Sequence, residues 1–177
     1  MTTIRVLPAL LVLAGYAAAE APPTLTTLHN FNLQDGSAPS VGLAIGADYV
    51  LYGASSSGGD PPCRCGTVFS LAPPASAGGA WTEKVLYSFT GGSDGGYPTG
   101  NLAIGANHVL YGVASTTVFS LTPPAGDPSR PGAWTESIVY NFGPGVYLSG
   151  GGAIGEGGVL YGATSLEEVR SLERFSH

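Results

Sequence analysis

Apolar and polar residues alternate along this chain in short runs. In Thr67-Val-Phe-Ser-Leu71, Phe69 and Leu71 fall on one side of an extended chain, Val68 and Ser70 on the other. A period of two marks a strand whose two faces meet different surroundings. Val85-Leu-Tyr-Ser-Phe89 and Ile138-Val-Tyr-Asn-Phe142 alternate likewise, which predicts Val85, Tyr87 and Phe89 on one face and Leu86 and Ser88 on the other. Helical spacing shows only over Leu166 to Phe175, and weakly. The pattern predicts an all-β chain.

The runs also repeat. Leu51-Tyr52-Gly53 returns as Leu110-Tyr111-Gly112 and Leu160-Tyr161-Gly162, and Thr67-Val-Phe-Ser-Leu71 returns as Thr117-Val-Phe-Ser-Leu121 and, degraded, as Glu168-Val-Arg-Ser-Leu172. Ala80-Trp-Thr-Glu83 returns as Ala133-Trp-Thr-Glu136, while Leu28-His-Asn-Phe31 matches the run that follows it, so a lone strand is expected over Leu25 to Phe31. Trp81 to Phe89 and Trp134 to Phe142 are both 8 residues apart, and Leu43 to Tyr52, Leu102 to Tyr111 and Gly152 to Tyr161 are all 9. Constant intervals are structured segments. Tyr52 to Val68 spans 16 residues against 7 from Tyr111 to Val118, the variation of a loop, whose closure entropy grows slowly with length. Inside the nine-residue interval, Asp48, Asn107 and Gly157 share one position. All three residue types tolerate positive φ, which predicts a tight hairpin there. Each unit then holds four short antiparallel strands, the content of a β-propeller blade. The units run over approximately 25–89, 90–142 and, partially, 143–177.

Leu-Tyr-Gly, then Gly-Thr-Val-Phe-x-Leu-x-Pro, then Trp-Thr-Glu-x-Val-Leu-Tyr-Ser-Phe-Thr-Gly-Gly-Ser-Asp-Gly, resembles the bacterial GloVer tandem repeats of exported "choice-of-anchor" proteins, from Leu25 to about Leu172. The resemblance implies an exported protein, often tethered through a C-terminal sorting signal. This sequence departs from the pattern by ending Arg174-Phe-Ser-His177 without an anchor, by Arg170 in place of Phe, and by Gly143-Pro-Gly-Val-Tyr147 in place of the Ser-Asp-Gly loop. The resemblance also implies a cysteine pair in the long loop. Cys63 and Cys65 are therefore expected to form a disulfide, with a metal site as the alternative, for which two further ligands would be needed.

Composition narrows the partners. Twenty-eight Gly and fourteen Pro punctuate the strands, only 10% of residues are charged and the net charge is −6, which disfavours nucleic acid and anionic membrane surfaces. Arg5, the apolar run Val6 to Ala19 and Ala17-Ala18-Ala19 before Glu20 form a signal peptide over 1–19. At 1.5 Å per residue, about fourteen residues fall short of a hydrocarbon core roughly 30 Å thick. The mature chain, 20–177, is expected to carry no membrane span and to be secreted, at the cell surface or in the periplasm.

Candidate chemistry is sparse. Asp35-Gly36 and Asp94-Gly95 occupy equivalent loops and could hold Ca²⁺ or sugar, or simply form type I′ turns. Tyr97, in the glycine-rich loop beside Asp94, could stack on a sugar ring, whereas Tyr52, Tyr87, Tyr111, Tyr140 and Tyr161 are placed in strands and expected in the core. Glu83 and Glu136 are expected as cross-strand partners at a solvated edge. His29, His108 and His177 assemble into nothing recognisable, and no nucleophile elbow, zincin motif or phosphate loop is present. No enzyme activity and no cofactor is implied. The reading is an exported structural or binding module for polysaccharide or an envelope protein, with a propeller-type carbohydrate-active enzyme as the alternative. Three units are fewer than the four to eight of a closed propeller, which leaves two outcomes: a head-to-tail homodimer by strand exchange, or a truncated member with exposed faces. Processing is expected after Ala19: the intact mass of the exported protein should begin at Glu20, and Met1 retained in a membrane fraction contradicts it.

Overall fold

A computed structural model describes residues 25–39, 42–128, 132–143, 146, 152–155, 158–163 and 169–172. The chain is all-β. Strands β1 (Ala44–Ile45), β2 (Leu51–Ser55), β3 (Thr67–Ala72) and β4 (Thr82–Ser88) form one antiparallel sheet in that order. Strands β5 (Pro98–Ile104), β6 (Leu110–Ala114), β7 (Thr117–Thr122) and β8 (Thr135–Asn141) form a second, and β9 (Ala153–Ile154), β10 (Leu160–Ala163) and β11 (Val169–Leu172) a third. Among the described residues each strand pairs only with its neighbours in sequence. Over 169–172 strand pairing with β10 prevails over the weak helical spacing. Among the described residues no helix is long and apolar enough to cross a membrane.

The β1–β2 and β5–β6 turns show why that interval keeps its length. Asp48 and Tyr49 have φ of 52° and 60°, and Asn107 and His108 have 53° and 61°, two successive left-handed residues, as a type I′ hairpin requires. Gly46 N–H donates to the Val50 carbonyl and Gly105 N–H to the Val109 carbonyl, both at 2.8 Å. The third counterpart, Gly157, lies outside the described residues. The variable interval is the β2–β3 loop of the first sheet, cut to Ser115 and Thr116 in the second.

Register explains the Leu-Tyr-Gly signature. Gly53 lies opposite Phe69, and Gly112 opposite Phe119. A Cβ on Gly53 would stand 2.6 Å from the Phe69 ring and 2.8 Å from Leu43, and one on Gly112 2.5 Å from the Phe119 ring and 2.8 Å from Leu102. The glycine is a notch for the phenylalanine beside it. Each phenylalanine then meets an aromatic from the run before it: Phe31 packs on Phe69 with centroids 4.7 Å apart, and Phe89 on Phe119 at 5.1 Å. One apolar cluster, including Tyr52, Leu86, Phe89, Leu102, Phe119 and Trp134, joins the first sheet to the second, and Val113, Val118 and Leu160 join the second to the third.

Two expectations need correction. Leu25 to Phe31 forms no strand: Phe31 docks as its counterpart Phe89 does, but among the described residues the backbone finds no sheet edge to pair with. Strict alternation in β4 and β8 also fails. Val68 pairs with Tyr87 but Phe69 with Val85, and Val118 with Tyr140 but Phe119 with Ile138, so a bulged residue puts Val85 and Tyr87 opposite residues of opposite faces. Phe69 and Phe119, both at most 1% exposed, test the packing. Phe69→Ala and Phe119→Ala should each cost about 3–5 kcal/mol, read from denaturant midpoints; values within a few tenths of wild type would contradict this packing.

Candidate functional site

Thr90 to Tyr97 carry the chain from β4 to β5, and Asp94 organises them. Its Oδ2 accepts from the Thr90 N–H at 2.7 Å and the Tyr87 hydroxyl at 2.9 Å, and its Oδ1 from the Thr90 hydroxyl at 2.8 Å and the Gly92 N–H at 3.1 Å. Burial alone would raise the Asp94 pKa, but these donors outweigh it and hold the carboxyl below its ordinary range. Burial, and then the bond to Asp94, push the Tyr87 phenol up. At 6% exposure with four donors, Asp94 ties the loop to the strand it leaves.

Asp35 does the same before the first sheet. It accepts from Asn32 N–H at 2.7 Å and Asn32 Nδ2 at 2.8 Å, and pairs with His29 Nε2 at 3.0 Å. Neither aspartate forms the expected type I′ turn. The positive φ belongs to the next residue, Gly36 at 147° and Gly95 at 82°, because the aspartate carboxylate, rather than a left-handed pair, satisfies the turn's N–H groups. A Cβ on Gly36 would stand 2.5 Å from Ser55 Oγ, and one on Gly95 2.6 Å from Thr117 Oγ1.

The long β2–β3 loop folds onto this connection. Cys63 and Cys65 are joined by a disulfide, with Cα atoms 5.1 Å apart, a separation a disulfide spans. A Cβ on Gly91 would lie 2.6 Å from both sulfurs, and Tyr97 N–H donates to the Cys65 carbonyl at 2.6 Å. Two loops thus brace each other through groups that admit no larger side chain. Out of this platform stands Tyr97, 55% exposed and with φ of 52°, a conformation uncommon for a bulky residue. It lines a cleft of about 280 Å³ with Ser93, Ser115, Thr116, Asn141 and the disulfide.

At the end of the sheets that carries the Asp48 turn lies a second cleft, of about 420 Å³, lined by Asp48, Lys84, His108 and Trp134 among others. Tyr52 and Trp134 face each other there at 6.2 Å, but both are buried and hold the sheets together rather than presenting faces to a ligand. Tyr87 and Tyr111 are half-buried. Tyr140 and Tyr161 are each 45% exposed, against expectation, because β8 is an edge strand and no described sheet follows the one containing β10. His177 lies outside the described residues.

Glu83 and Glu136 are the residues that sequence reasoning undervalued. Both lie on edge strands, as expected, but neither is solvated: each is half-buried with a buried Oε1 that has no hydrogen-bond partner. Burial raises both pKa values; Asp35 raises Glu83 further while His29 lowers it, and Asp94 raises Glu136 further. Each glutamate therefore faces the aspartate of the connection preceding its own sheet. The signal was present, since these were the only repeated carboxylates besides the Asp-Gly pair. What period two could not show is that two acids from successive runs meet across a sheet face.

No family model, curated protein or solved structure matches this chain, so its geometry alone carries the functional reading. The connection itself is testable. Asp94→Asn puts an amide donor among donors and should cost about 1–3 kcal/mol at pH 7. Because the folded-state pKa of Asp94 lies below the ordinary 3.8, its contribution is complete above that value and lost as pH falls through the lowered one. The difference from wild type should narrow over that acid range in parallel thermal melts; a gap independent of pH would contradict the assignment.

Proposed function

We propose that this chain is an exported, propeller-type repeat module that binds a neutral polysaccharide at the Tyr97 cleft. The observation that carries the reading is a half-exposed tyrosine, held in a rarely populated backbone conformation, beside hydroxyl, amide and glycine backbone groups. Aromatic faces pack against sugar rings while short polar groups meet their hydroxyls. None of the side chains lining the cleft carries a formal charge, which suits an uncharged glycan better than a uronate or a phosphate. The loops are braced by the disulfide and by Asp94, so little ordering entropy would be lost on binding.

The three antiparallel sheets, packed face to face through Phe89 and Phe119 and through Val113, Val118 and Leu160, support reading them as successive blades. Export follows from the signal peptide over 1–19. Asp94, with both oxygens occupied, is poorly suited to act as a glycosidase acid or nucleophile.

A glycan array followed by calorimetry tests the reading. The protein should bind a neutral polysaccharide without releasing reducing ends. Tyr97→Ala should weaken binding about tenfold, equivalent to about 1.4 kcal/mol, with the melting temperature unchanged. Binding undiminished in Tyr97→Ala, or no neutral glycan bound, overturns the proposal; release of reducing ends makes the protein an enzyme instead.

A further inference from the structure

The unit-to-unit comparison isolates one position where the chemistry changes while the geometry does not. Tyr87, Asp94 and Glu136 meet between the first and second sheets, and His29, Asp35 and Glu83 meet in the same relation one unit earlier. In the later cluster the phenol hydroxyl donates to Asp94, which has no further need. In the earlier one an imidazole takes its place. A ring nitrogen of His29, one oxygen of Asp35 and one of Glu83 all lie within 4.8 Å of one another.

We infer that His29, Asp35 and Glu83 bind a zinc ion. The donor set is one imidazole and two carboxylates, which suits Zn²⁺ rather than Ca²⁺ or Mg²⁺, ions that take oxygen ligands almost exclusively. His29 Nε2 and Asp35 Oδ2 are 3.0 Å apart, close to the edge of roughly 3.3 Å that tetrahedral ligands at about 2.0–2.1 Å define, and the Glu83 oxygen, within 4.8 Å of both, would close in on the ion. Asn32 Nδ2, 2.8 Å from the same Asp35 oxygen, supplies the outer-shell bond that orients a ligating carboxylate. Glu83 brings a buried oxygen with no protein partner, an orphan acceptor still open to a ligand bond. Glu136 carries the same orphan, but its cluster offers a phenol, a poor ligand while protonated. The third ligand distinguishes the two sites.

The ion would also have structural work to do. His29 and Asp35 belong to the segment preceding the first sheet, which makes no strand ladder, whereas Glu83 belongs to β4. Zinc bridging them would clamp that segment onto the sheet and raise the melting temperature by mass action.

The test uses the exported protein, stripped with chelator and titrated with Zn²⁺ and, for its visible absorption, Co²⁺. One ion per chain is expected, with a higher melting temperature and no comparable effect of Ca²⁺ or Mg²⁺. His29→Tyr, which copies the natural Tyr87 arrangement and so should fold, must lose binding, and the near-isosteric Glu83→Gln must weaken it at least tenfold. Tyr87→His should raise the stoichiometry to two. Absence of saturable binding to wild type, or binding unchanged in both His29→Tyr and Glu83→Gln, overturns the inference. Glycan binding at Tyr97 is independent of either result.

Discussion

A phenylalanine seated on a glycine holds this protein together. Phe69 over Gly53 and Phe119 over Gly112 are cross-strand pairs in which one partner has no side chain, so the tip of the ring fills the place where a Cβ would stand. That posture leaves the outer side of the ring free to meet an aromatic from the preceding run, Phe31 or Phe89. Sheet formation and sheet stacking therefore share one residue. Any side chain at Gly53 or Gly112 would lift the ring, and both the pairing and the stacking would have to move. The Leu-Tyr-Gly and Val-Phe motifs recur together because neither makes sense without the other.

The connections between sheets follow a second shared rule with more latitude. In each, a carboxylate accepts from its own turn and from a side chain of the preceding run, His29 or Tyr87, while the following glycine slips past a serine or threonine of the next sheet. The reaching group differs, imidazole in one place and phenol in another, and the acid facing it from the next sheet is constant. A fixed backbone arrangement thus carries an interchangeable chemical element. The long loop with Cys63 and Cys65 is present in the first sheet and absent from the second, so the platform under Tyr97 is built from parts of two units that are not equivalent.

Most of the architecture could be read from the alternation and from constant spacings. The four strands of the first two units, the left-handed pair at Asp48 and Asn107, and the elastic β2–β3 interval all depend on local backbone preference, which a short stretch of sequence expresses directly. The errors share a cause. Leu25 to Phe31 has the alternation of a strand, but a strand also needs an edge, and that belongs to the rest of the molecule. The bulge in β4 depends on how Val68 and Phe69 seat against β4. The burial of Glu83 and Glu136 depends on which sheet face meets the preceding connection. Asp35 and Asp94 are legible as repeated positions, but the type I′ turn expected there is not formed, because Asp-Gly serves both as a left-handed pair and as an acceptor followed by a hinge.

Pairing only between consecutive strands has a consequence for how such a chain can change over generations. Because no ladder spans two units, a unit can be duplicated or deleted by unequal recombination without shifting the register of any other. The seams that must match are one aromatic contact and one glycine-bearing connection, repeated at Phe31 on Phe69 and at Phe89 on Phe119. Copy number is then nearly neutral for the folding of each unit.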